Sequence, residues 1–150
     1  IHADPPVPMP AHEGTTLLRD LADGTIDAIV AATGPGSGSP LIVVELRQLG
    51  GAFADEPAVR SALCHRDAAF NLHSVGVLAP PIAELVVSTN SALIAAVEPW
   101  STGTSLPNFS ASADPAVIRA CYDDDTYAWL AALAAQLDPR GVLDTGQVVR

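Results

Sequence analysis

His73 is the side chain in this sequence best suited to move a proton near neutral pH, because an imidazole titrates close to the working range. It stands in the run FNLHSVGV, Phe70 to Val77. Glu45 and Arg47 lie two residues apart in LIVVELRQL, and the two-residue period of a strand puts both on one face with Leu41 and Val43. By itself such a pair is a solvent-facing ion pair of little energetic weight. His65-Arg66-Asp67 has the letters of a kinase catalytic loop. No asparagine follows at the required distance, and no DFG or glycine-rich loop with a downstream lysine accompanies it. The tripeptide therefore reads as a structural tie, with Arg66 bonding Asp67 or a nearby carbonyl.

Other chemistry-bearing patterns fail on their context. TGPGSGSP, Thr33 to Pro40, resembles a phosphate-cradling loop only in composition, since that motif needs a strand before it and a helix after it. Here the order is reversed, and the stretch reads as a linker. Asp123-Asp124-Asp125 lacks the alternating spacing, glycine and distal glutamate of a calcium loop. Cys64 and Cys121 are far apart and fall in no zinc-ligand spacing, so no metal is expected, and a disulfide between them is left open.

These residues need elements to hold them. Residues 1–12 carry Pro5, Pro6, Pro8 and Pro10 and are expected as an extended arm or linker, leaving 13–150 as a single domain. Leu17, Leu18 and Leu21, then Ile26, Ile29 and Val30, have helical spacing broken at Asp23-Gly24, which predicts two short helices or one interrupted helix over Glu13 to Ala32. β-Branched residues between Pro40 and Gly50-Gly51 predict a strand over Leu41 to Leu49, and Phe70 to Leu78 a second. A long helix follows Pro80-Pro81 to about Val97, with Ile82, Leu85, Val86, Leu93, Ile94 and Val97 as its apolar stripe. Asp114-Pro115 opens another helix through Tyr122, and Asp123 to Thr126 cap a last one over Tyr127 to Leu137.

Composition narrows the function classes. Across 150 residues, 49% are hydrophobic, enough for one domain with a real core. The net charge of -10 repels phosphate backbones and anionic headgroups, which argues against nucleic-acid and membrane partners. No leader pattern is visible, and the most apolar run, Ile82 to Val97, is interrupted by Glu84, Ser88, Thr89, Asn90 and Ser91. A soluble protein is expected, cytoplasmic in preference to secreted. The opening residue is Ile1 and not Met, which fits a piece of a longer polypeptide.

The order and spacing of LIVVELRQLGGAFADEPAVRSALCHRD, the Pro99-Trp100 pair, PNF at Asn108 and YDDDTYAWLAALAAQLDP resemble the C-terminal, substrate-side region of the berberine-bridge-enzyme-like FAD-linked oxidases of the vanillyl-alcohol-oxidase type, from about Leu17 to Val149. The resemblance implies FAD as cofactor, oxidation of an alcohol, sugar or amine-type carbon in a small-molecule substrate, and substrate contacts from the face holding Glu45, Arg47 and His73. It implies flavin contacts from Asn108 and Gln147. The N-terminal FAD-binding half is missing here, so that half is expected in cis or in trans, or else a homo-oligomer completes the fold. The family's Y-x-N-(F/Y) segment stands here as Leu106-Pro107-Asn108-Phe109, without the phenol that acts as base, and Gly141 and Gly146 replace two tail asparagines. His73 is then the remaining candidate base.

The expected fold is α+β, an antiparallel sheet, complete or lacking strands, with helices packed mainly on one face. Two functions follow. Either the chain is the substrate-side portion of an FAD-dependent oxidoreductase, inactive alone, or it is a stand-alone remnant that binds a small ligand or a protein without redox chemistry.

Overall fold

Leu17 and Leu18 are neighbours in sequence and both fully buried, an arrangement open to an extended chain running between two apolar layers. A computed structural model shows this arrangement. It describes residues 8–143 and 146–150, so most of the expected arm at 1–12 lies outside the described residues. The elements are β1 (Ala11–Leu18), α1 (Asp23–Thr33), β2 (Val43–Gln48), β3 (Phe70–Val77), α2 (Ala83–Ala96), α3 (Pro115–Ala120) and α4 (Asp124–Leu137). Short 3-10 turns occur at Gly51–Phe53, Glu98–Trp100 and Pro107–Phe109.

Among the described residues the strands form one open antiparallel sheet in the order β1-β3-β2. Together with the four helices this is the α+β architecture expected. β1 corrects the helix expected from Glu13: this stretch is extended, and Ala11 and His12 already pair with Val77 and Gly76. The helical spacing of the leucines is a coincidence of a strand buried on both sides. Leu18 joins Leu72, Ile29, Leu93 and Val97 under the helices, while Leu17 joins Ala68 and Leu106 on the opposite face. Each buried leucine contributes about 2 kcal/mol, against helix-propensity differences of about 0.7 kcal/mol or less per residue. Packing therefore decides. Asp23-Gly24, expected as a break, begins α1, and a Cβ on Gly24 would come within 2.7 Å of the Trp100 ring.

α1 and α2 cover one face, the side of Leu18, Leu72 and Phe70. α2 lies very close to the sheet because glycines face it. Its buried set is Val86, Asn90 and Leu93, whereas Leu85, expected in the stripe, is half exposed. Asn90 tethers the helix: Ser74 donates its hydroxyl to Asn90 Oδ1, and Asn90 Nδ2 donates to the His12 carbonyl at 3.2 Å.

The last two helices start where their acidic caps say they should. Asp114 Oδ1 accepts from the Ala116 amide at 2.8 Å, and Asp123 Oδ1 from the Thr126 amide at 2.7 Å. The Thr126 amide, and after it the Cys64 thiol, hold the Asp123 carboxyl below its ordinary range. The His65-Arg66-Asp67 tripeptide is structural: Arg66 donates to the carbonyls of Phe53 (2.7 Å) and Asp55 (2.9 Å), and His65 Nε2 meets the Ala120 carbonyl at 3.2 Å. Cys64 and Cys121 are both buried free thiols.

Two outcomes test this packing. Gly76→Ala places a Cβ 2.4 Å from Val86 Cγ1, so urea denaturation should show a loss of about 1–3 kcal/mol. Adding Val86→Ala in that background should recover part of it, giving a non-additive cycle. Because the folded-state pKa of Asp123 is depressed, its charge contributes fully above the ordinary aspartate value of about 3.9, and the contribution fades as pH falls through the lower folded value. Asp123→Asn, which keeps a capping oxygen, should therefore be less stable than the parent at pH 7 and indistinguishable from it near pH 2. A gap that is constant with pH would contradict the assignment.

Candidate functional site

The sheet face opposite the helices carries, beside the Leu17, Ala68 and Leu106 cluster, a row of polar and charged side chains. Antiparallel register sets Glu45 directly across from His73, Arg47 across from Asn71, and Thr15 across from His73 on the other side. Paired residues share a face, so β1 adds Glu13 and Thr15 to the face that carries Glu45, Arg47 and His73. The three substrate-contact candidates are thus brought together.

Arg47 binds Glu45 through two contacts, Nε to Oε1 at 2.5 Å and Nη2 to Oε2 at 3.2 Å. The hydrogen bond to Glu45 raises the Arg47 pKa above its already high value, so the guanidinium stays charged. Its plane also lies over Phe109, 4.8 Å from the ring centroid. The same ring packs on His73, with centroids 5.3 Å apart and planes at 60°. His73 Nε2 stands 4.0 Å from Glu13 Oε2. Thr15 donates to Asn71 Oδ1 at 3.2 Å.

Two buried atoms on this face have no hydrogen-bond partner, Asn71 Nδ2 and His73 Nε2. An unsatisfied buried polar atom costs about 1–3 kcal/mol. Both lie on one face, at alternate positions of β3. Glu13, Thr15 and Asn71 were not anticipated as site residues. Reading HEGTTLL as a strand, from its paired threonines, would have placed Glu13 and Thr15, whereas Asn71 shares the β3 face of His73 by strand alternation alone.

The flavin-contact candidates lie at the rim. Asn108 is exposed on the Pro107–Phe109 turn. Gln147 comes back to the same turn and donates its side-chain amide to the Ser110 carbonyl. Asp138 directs that return, accepting from the amides of Val142 (2.8 Å) and Leu143 (2.9 Å) and from Arg150 Nη2 (2.7 Å). These contacts, with the Leu143 amide foremost, hold its carboxyl below the usual range.

The described residues do not fit a complete FAD. Asn108 and Gln147 could meet one polar edge of a ring. The pyrophosphate needs a glycine-rich strand-to-helix turn or free cations, and the glycine-rich loop at 33–40 follows a helix and precedes a strand. On the polar face Arg47 is already neutralised by Glu45. No group of three metal-ligating side chains assembles among the described residues, and none of their helices is long and apolar enough to cross a membrane.

The class defined by this fold is an α+β layer, a sheet backed by helices, that recurs as one portion of a longer chain. Two solved structures show it: Physcomitrella patens BBE-like 1 in its wild-type form and as a variant, each with a TM-score of 0.73 and 20% identity over 91% of this chain. The chain spans 30% of the length of those proteins. No family model and no curated protein matches. At this identity the likeness establishes the fold.

Asn71→Leu tests whether the polar face is kept for something other than stability. It removes an orphaned donor together with the acceptor used by the half-buried Thr15, two effects of opposite sign, so thermal denaturation should show a change within about 1 kcal/mol despite the residue's complete burial. A loss of about 3 kcal/mol or more would show that Asn71 is a structural group.

Proposed function

We propose that this chain is the substrate-side portion of an FAD-linked oxidoreductase, with the cofactor's phosphates held by a separate FAD-binding half. The fold likeness to BBE-like 1 over 91% of this chain carries the reading. On it, the Glu45, Arg47 and His73 face binds and orients a small-molecule substrate, Phe109 supplies an apolar wall, and the His73 imidazole accepts the proton released as the substrate carbon is oxidised. Glu13, at 4.0 Å, faces the imidazolium that this transfer creates. The redox group belongs to the other half.

A second reading, a ligand-binding remnant without redox activity, is favoured by Leu106 and Phe109 standing where the resemblance calls for a phenol, and by the absence of a phosphate cradle among the described residues.

The two readings separate by colour and by kinetics. Recovered from its native cells with the polypeptide that holds it, the protein should absorb in the flavin bands, while the 150-residue chain alone should leave the fluorescence of added FAD unchanged. In the coloured assembly, His73→Asn should lower the rate of substrate oxidation by about 100-fold or more without lowering flavin content. A colourless native assembly would favour the remnant.

A further inference from the structure

The two outer edges of the sheet are not alike. At β1, Leu17 donates to the Thr104 carbonyl at 3.0 Å and accepts from the Thr102 amide at 2.9 Å, which closes the C-terminal half of that edge. Its other half opens into a cleft of about 770 Å³ walled by Ile94 and Ala95 on one side and Phe109 to Ser112 on the other. Those walls stand in the way of a second sheet. β2 has no such walls.

The backbone phase of β2 follows from its last bond to β3, Leu49 N–H to the Ala69 carbonyl at 2.8 Å. Ile42, just before the strand, also donates to the Val75 carbonyl at 2.9 Å; from Val43 to Leu49 the odd-numbered residues face β3, so the N–H and C=O groups of Val44, Leu46 and Gln48 point outward. Among the described residues no backbone group pairs with them. The side chains there are open too, with Leu46 36% and Ile42 59% exposed. An apolar edge with free backbone groups is a template for strand pairing.

The sequence of β2 chooses the partner. Its residues read VVELRQ, and an antiparallel copy centred on Leu46 sets Glu45 opposite Arg47, Arg47 opposite Glu45, and Val44 opposite Gln48. The outward phase of Leu46 makes the central pair, Leu46 against Leu46, a hydrogen-bonded one, as antiparallel geometry requires. Charge, apolar contact and backbone phase all agree in this one register. We infer that β2 pairs with β2 of a second copy of this chain across a twofold axis, joining two sheets into one continuous six-stranded sheet. The inference does not rest on the flavin reading. It also draws Arg47 of the second copy beside Glu45, so that both polar faces meet at the junction.

Sedimentation of the 150-residue chain tests the pairing. The wild-type chain should be a dimer. Arg47→Glu sets like charges opposite one another and should weaken the dimer by at least about 100-fold, and adding Glu45→Arg to it should restore association by reversing every pair. Leu46→Pro removes an outward N–H that β3 does not use, and should give a folded monomer by circular dichroism. A monomeric wild type, or a dimer that Arg47→Glu leaves intact, overturns the proposal, as does a double charge reversal that fails to re-form the dimer.

Discussion

The register between β1 and β3 is the constraint on which the rest of the molecule depends. Eight consecutive pairs, Ala11 with Val77 through Leu18 with Phe70, fix which side chains see the helices and which see the polar face. A slip of one residue would exchange Leu17 for Leu18 and carry Glu13 and Thr15 away from His73. The glycines lock the same register. A Cβ on Gly14 would sit 2.9 Å from both Asn90 Oδ1 and Ser74 Oγ, so the Asn90 tether works with glycine at that place and no other. Fold and site are therefore one arrangement, because the pairs that seal the core also aim the polar groups.

The two faces show how differently the same sheet is used. Under α1 and α2 Leu18, Leu72, Leu93 and Val97 are fully buried, and the polar groups there, Ser74 and Asn90, bond each other. On the other face Asn71 is just as buried, yet its amide nitrogen has no partner, and neither has His73 Nε2. Leucine at Asn71 would relieve that cost while leaving the Thr15 hydroxyl without its acceptor. Phe109 partly offsets it by packing on His73 and lying under Arg47, which orders both side chains without satisfying the imidazole.

Local chemistry was the legible part of the sequence. β2 announces itself by a β-branched run between Pro40 and Gly50, and α3 and α4 by Asp114 and Asp123 at their caps. β1 was not legible because its structure is set by partners more than fifty residues away, and because burial on both faces erased the alternation that marks a strand. The site divides along the same line. Glu45 and Arg47 follow from a two-residue period within one strand. That His73 lies opposite Glu45, and that Glu13 lies within 4.0 Å of His73, depends on register between strands. The resemblance implied only that Asn108 and Gln147 each meet a flavin; that Gln147 donates to the Ser110 carbonyl beside the Asn108 turn was legible in no local pattern. The physical cause is Asp138, whose oxygens gather the Val142 and Leu143 amides and Arg150.

The polar face has one wall. Chemistry that moves a proton and a hydride from carbon needs water kept away from the reacting atoms, and a closed site also strengthens each electrostatic contact inside it. Phe109 and the Pro107–Phe109 turn roof one part of the face, while Arg47 remains exposed. A second wall must therefore come from outside these residues before the site can work as an oxidase, whereas binding alone needs no such closure. In BBE-like 1 the matched fold occupies 30% of the chain, so most of that protein lies beyond the part shared here. The exposed Glu45–Arg47 pair is where the two demands meet. Its charges are neutralised within one strand, where both Glu45 oxygens hold the Arg47 guanidinium.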